Sequence, residues 1–201
     1  MELLISLFII IFSSILHEIA HGLVADRLGD PTPRLSGRLT LNPIPHIDPL
    51  MSILFPLLLL LSGSPVIFGA AKPVPVDPYN FRDGRKDTAL VALAGPLTNI
   101  LIAIIASFLI RFLTVSPITM LLIPIFQLNL LLAIFNLLPI PPLDGSKVFS
   151  LLLPEKEARA YLALGQYGFF ILFFLLFFPI GGFSLQHLIQ TLLIFFQNLL
   201  L

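Results

Sequence analysis

Apolar runs of about twenty residues recur along this chain, and they constrain its fold more than any other feature. Leu3 to Val24, Ala89 to Leu113, Ile118 to Leu138 and Tyr161 to Phe178 are the clearest. At a rise of 1.5 Å per residue, each has the length to cross a hydrocarbon core. A last run, Leu185 to Leu201, carries Gln186, His187, Gln190, Gln197 and Asn198, which suits either a further span or an interfacial helix. Only 11% of the 201 residues are charged, against roughly 25% in a soluble domain. A surface this poor in charge has to face lipid. The expected fold is an all-α polytopic membrane protein with about five to six membrane segments.

The connections are polar and rich in proline and glycine. Asp26 to Asp48 contains Gly29, Pro31, Pro33, Gly37, Pro43 and Pro45. Its stretch 34–41 reads as a short strand, and 66–76, rich in Val, Pro and Gly, as a second one. Pro49 to Leu61 is apolar but short and broken by Pro56, which fits a re-entrant segment better than a crossing. Arg27, Arg34 and Arg38 follow the first span, and Lys72, Arg82, Arg85 and Lys86 precede the second. The positive-inside bias makes both groups cytoplasmic, which requires a re-entrant 49–61 and puts the N-terminus outside. Glu2 replaces the basic start of a signal peptide, and no small-x-small cleavage site follows. The whole of 1–201 reads as one membrane domain. Formal net charge is zero, which offers nothing to a nucleic acid. With no cysteine in the chain, any metal must be held by His, Asp or Glu.

The first span is where the chemistry concentrates. His17-Glu18-Ile19-Ala20-His21 is an H-E-x-x-H pattern on an expected helix. Residues four apart lie about 40° apart around a helix, so both imidazoles can reach one zinc ion. Glu18 is then placed to act on water as a general base. A histidine in a helix is often a packing residue. Ionisable groups inside a membrane span are expensive, however, and usually functional. His21 lies roughly 9 Å along the helix from the Arg27 boundary and His17 roughly 21 Å from Leu3. The metal is therefore expected inside the bilayer, nearer the cytoplasmic face, with water reaching it through protein.

Two histidines leave a zinc ion short of a third protein ligand. Asp144 is the best candidate; it follows Pro139-Ile140-Pro141-Pro142-Leu143, which breaks the third span at membrane depth. Its bland reading is a helix cap. Asn136, slightly upstream, can stabilise an oxyanion or simply bond to a neighbouring helix. Asn99 reads as packing, His46 and Asp48 as a turn or cap, and His187 as interfacial. A transporter relay would use the same ionisable groups, but it predicts broken helices in two symmetric halves, which the sequence lacks. A binding protein without catalysis has no use for Glu18.

Taken together these motifs resemble the site-2 protease family of intramembrane zinc metalloproteases. The resemblance rests on His17-Glu18-Ile19-Ala20-His21-Gly22, Ala94-Gly95-Pro96-Leu97-Thr98-Asn99 and Asn136-Leu137-Leu138-Pro139 with Leu143-Asp144-Gly145. Gly37 to Pro43, His46 to Leu50 and Ala71 to Val76 are similar to a compact prokaryotic branch without a PDZ or CBS module. The resemblance implies His17, His21 and Asp144 as ligands of one zinc ion, Glu18 as acid/base and Asn136 as oxyanion donor. It also implies cleavage of a transmembrane protein substrate in the cell membrane, with edges near 34–41 and 66–76 able to pair with an unwound substrate.

Overall fold

A computed structural model describes residues 2–49, 54, 58, 61, 71–113, 117–182 and 184–201. Among these, four helical stretches are long and apolar enough to cross a membrane: Leu4–Leu28, Gly84–Phe112, Ile118–Asn136 and Glu155–Phe177. The first belongs to helix α1 (Glu2–Leu28), which ends at Gly29 in a left-handed conformation that suits glycine. After a short α2 (Thr32–Leu35), the long helices α3 (Gly84–Phe112) and α4 (Pro117–Asn136) follow. Next come α5 (Asp144–Phe149), α6 (Glu155–Ala163), α7 (Gly168–Phe177) and α8 (Leu185–Leu200).

Helix α3 is the centre of the bundle, packing on α1, α4 and α5. Its buried positions are mostly small: Ala89, Ala92, Gly95, Ala103, Ala106 and Ser107. Lipid tails are as apolar as leucine, so helices in a membrane associate by close backbone approach, which small residues permit. Larger side chains fill the other side, where Phe126, Leu130 and Ile134 of α4 meet Leu185 and Ile189 of α8. Pro96 sits inside α3 and Pro124 inside α4, as membrane helices tolerate.

The boundaries differ from the sequence reading for local reasons. Helix α3 starts at Gly84, so the charged stretch before Ala89 is its first turn. The Asp83 side chain accepts from Lys86 N–H, and Asp87 returns a bond to Asp83 N–H at 2.9 Å. This reciprocal cap satisfies amides that a helix start leaves open. Helix α8 has 16 residues, about 24 Å, which is short of a hydrocarbon core of about 30 Å. The described residues therefore give four helical stretches with the length and composition to cross a membrane and one shorter apolar helix, while the re-entrant segment counted with them in the sequence reading lies almost wholly outside the described residues.

The expected strand at 34–41 is not formed. Pro33 sits in the first turn of the helical stretch α2, where its missing N–H costs no helical bond, and Gly37 then turns left-handed at φ +64°. Arg38 is drawn inward to donate to backbone carbonyls. Of the second expected strand, 66–70 falls outside the described residues, and 71–76 has no strand pairing. The expected re-entrant segment 49–61 also lies almost wholly outside them.

Asp30 ties these connections together beyond the end of α1. Its buried carboxylate accepts from Thr32 N–H at 3.1 Å, Thr32 Oγ1, Asp77 N–H at 2.7 Å and Asn80 Nδ2 at 2.8 Å. Burial pushes its pKa up, but the bonds from Thr32, Asp77 and Asn80 together outweigh that and hold it below the ordinary value. A depressed folded pKa contributes stability above the unfolded value of about 3.9, lost as pH falls further. Asp30→Ala should therefore cost about 3 kcal/mol near neutral pH, and this deficit should shrink on acidification. Thermal unfolding of both proteins in detergent at pH 7 and pH 3 measures it.

Candidate metal centre

The two halves of the centre lie 127 residues apart in the chain. Helix α1 presents His17 and His21 on consecutive turns, their rings 4.6 Å apart between centroids and nearly perpendicular. The other half is the first residue of α5. After α4 ends at Asn136, the proline-rich turn brings the chain back so closely that a Cβ on Gly145 would lie 2.1 Å from the Leu137 carbonyl oxygen. Glycine is required for that approach, and it delivers the adjacent Asp144 to α1. Asp144 Oδ2 lies 3.2 Å from His17 Nε2 and 3.1 Å from His21 Nε2. All three residues are buried, and their ligand atoms lie within 4.8 Å of one another.

The surrounding bonds fix which atom each histidine offers. His17 Nδ1 donates to Asn99 Oδ1 at 2.6 Å, and His21 Nδ1 donates to the Val91 carbonyl at 2.6 Å. With the proton on Nδ1, each Nε2 lone pair points at Asp144 Oδ2. Asn99 is held in turn: its Nδ2 donates to Asn129 Oδ1, and Asn129 Nδ2 donates to Ser13 Oγ, both at 2.9 Å. This polar thread joins α1, α3 and α4 within an apolar core. Lys147 Nζ binds the second oxygen of Asp144 at 3.0 Å, leaving Oδ2 to the histidines.

Room for an ion is provided by Gly95. A Cβ built there would lie 2.4 Å from His17 Nε2 and 2.5 Å from His21 Nε2. Zinc bonds imidazole nitrogen at about 2.0–2.1 Å, and neighbouring ligands of a tetrahedral zinc are about 3.3 Å apart. The His–Asp separations match that edge closely, and the Gly95 face leaves space beside both nitrogens. Two neutral imidazoles and a carboxylate are a zinc-type donor set with a position left open. The residues fit the ion.

Other residues singled out from the sequence separate clearly. Glu18 lies beside the site, with Oε2 accepting from Val74 N–H at 2.7 Å. Asn136 donates from Nδ2 to the Leu132 carbonyl of its own helix at 2.9 Å. His46 is buried away from the triad and bonds the Thr40 carbonyl, which agrees with a turn role; His187 is on the exposed side of α8. Asn99 was read as packing, yet it contacts His17 directly. The signal that could have identified it is the cost that singled out the histidines, a polar group deep in an apolar helix. Gly95 and Lys147 gave no such signal, since their roles depend on which helix faces them.

Known proteins bear on this arrangement. The profile of peptidase family M50 matches residues 113–179, which include Asn136 and Asp144. The candidate zinc metalloprotease YwhC of Bacillus subtilis is 38% identical over 192 residues, covering 90% of this chain and 84% of that protein. The chain belongs to peptidase family M50. Two further relatives are candidate zinc metalloproteases named Rip2. The one from Mycobacterium tuberculosis is 35% identical over 80% of this chain, and the one from Mycolicibacterium smegmatis 31% over 84%. The chain spans 61% and 65% of their lengths. No solved structure matches it significantly. As an M50 member with these apolar helices, it is a multi-pass membrane metallopeptidase.

Proposed function

We propose that this M50 peptidase is a zinc-dependent intramembrane endopeptidase. It hydrolyses a peptide bond within or at the edge of a substrate's transmembrane helix, as in regulated intramembrane proteolysis. The observation that carries this reading is the convergence of His17, His21 and Asp144 on one buried point inside the bundle, one residue from Glu18. A carboxylate and two imidazoles at bilayer depth are costly, and holding a cation offsets that cost.

Zinc bound by His17, His21 and Asp144 supplies Lewis acidity that polarises a carbonyl and acidifies water. Glu18 takes the proton from the attacking water and delivers it to the leaving amine. Asn99 and the Val91 carbonyl keep the imidazoles in the ligating tautomer. Asn136 is the candidate oxyanion donor: turning its amide away from Leu132 frees an N–H for a developing negative charge. The substrate helix has to unwind first, because a helical carbonyl is already bonded and shielded. The full chain 1–201 acts as one domain in the cell membrane, with its centre nearer the cytoplasmic face, a transmembrane protein as substrate and lipid around it.

Metal removal tests this directly. Purified protein is reconstituted with synthetic transmembrane peptides carrying a central Gly-Pro break, and cleavage is followed by mass spectrometry. A strong chelator should abolish cleavage, and stoichiometric zinc should restore it. Full activity in protein shown to be metal-free overturns the zinc assignment. Cleavage of water-soluble peptides only, with the transmembrane peptides intact, overturns the intramembrane reading.

A further inference from the structure

The bond between Glu18 and Val74 is made by an unusual piece of chain. Val74 stands between Pro73 and Pro75, and proline has no N–H to donate. The Lys72 N–H is already bonded to the His46 carbonyl at 2.9 Å. From Lys72 to Pro75, Val74 therefore holds the one amide left to face α1. Residues that precede proline are also biased away from helical angles. Lys72 and Val74 both do so, which makes the segment a stiff strap.

The strap is anchored on both sides of Val74. The buried Arg38 guanidinium donates to the Lys72 carbonyl at 2.6 Å, the Pro73 carbonyl at 2.9 Å and the Pro45 carbonyl. Past Val74, Asp30 accepts from Asp77 N–H at 2.7 Å. Gly22, one turn beyond Glu18 on α1, leaves the notch in which the strap lies. A Cβ there would be 3.3 Å from Val74 Cγ1 and 2.5 Å from Leu39 Cδ2. Burying a cation against carbonyls alone is costly. A loop that needed only to fill space would be served as well by an aliphatic residue. What the planar guanidinium adds is a fixed geometry for several acceptors at once.

We propose that the Pro73-Val74-Pro75 strap positions the Glu18 carboxylate through the Val74 amide, and that Arg38 is a positioning residue for the peptidase reaction. With Oε2 held by Val74, Oε1 is the oxygen free to exchange a proton with water, and the side chain loses its other rotamers. The inference rests on the reading of Glu18 as the base. None of the strap's hydrogen bonds named above involves His17, His21 or Asp144. Its loss should therefore slow the reaction without loosening the metal.

Four variants of the full chain test this with the same transmembrane peptides: Val74→Pro, which removes the amide hydrogen while keeping an apolar side chain, Arg38→Gln, Arg38→Lys and Glu18→Gln. The readouts are kcat, KM and zinc affinity by competitive chelation. Val74→Pro and Arg38→Gln should lower kcat about tenfold or more, since small misplacements of a reacting group carry such costs. KM and zinc affinity should stay within about twofold of the parent, and Arg38→Lys should recover part of kcat. Where Arg38→Gln fails to fold, Val74→Pro decides, because the strap already has proline on both sides. Unchanged kcat in Val74→Pro, with Glu18→Gln inactive, overturns the strap's role and leaves the base standing. Zinc affinity falling in step with activity overturns it as well, since the strap would then merely scaffold the metal. An active Glu18→Gln protein overturns both readings.

Discussion

Glu18→Gln should retain zinc at the parent's stoichiometry while cleavage falls by roughly 10²–10⁴-fold, the range that general acid–base groups contribute. The substitution keeps the side chain's size and its carbonyl oxygen, which can still accept from Val74 N–H. It removes the ability to take a proton. Since the three proposed ligands are untouched, zinc content by elemental analysis and the thermal midpoint should match the parent. The loss should lie in kcat, because an interaction made only in the transition state has gone. Cleavage at the parent's rate would mean that proton transfer runs through another group. Asp144 is the nearest other carboxylate identified at the site, but its oxygens already face the two histidines and Lys147.

What the sequence made legible follows from what a linear pattern can carry. His17 and His21 could be paired because helix periodicity alone puts them on one face. Asp144 could be nominated because an acid after a proline-broken span needs a reason to be there. The spans were legible for a similar reason, since lipid imposes a length and a composition. The strand at 34–41 was misread because β-propensity takes no account of partners. Pro33 and Gly37 impose turns there, and Arg38 finds acceptors 34 and 35 residues away. Asn99 meets His17 across 82 residues, and nothing local in either segment announces that contact. Asn136 shows the converse: the motif marks it, while its amide in this structure is spent on its own helix. A pattern names the group, and only the fold says what it is bonded to.

Gly95→Ala sets two physical effects against each other. On helix propensity alone the change is favourable by about 1 kcal/mol in a helix interior, and α3 continues for many residues on either side. Taken alone, that term would raise local stability. The methyl, however, would sit 2.4 Å from His17 Nε2 and 2.5 Å from His21 Nε2, well inside van der Waals contact and in the space open to the ion. Neither ring can easily retreat, because Asn99 and Val91 hold their Nδ1 atoms. Sterics should win at the metal: zinc affinity should fall by about two orders of magnitude or more, at the upper end of what outer-shell changes cost. Cleavage should be lost with it. Competitive chelation measures the affinity, and helix content by circular dichroism should stay at the parent's level. A Gly95→Ala protein that binds zinc as tightly as the parent would place the ion elsewhere than between His17, His21 and Asp144. A second variant on the same helix provides the comparison. Ala94→Ser adds an atom one position away from the glycine, at a residue that is not fully buried, and it should leave zinc binding unchanged.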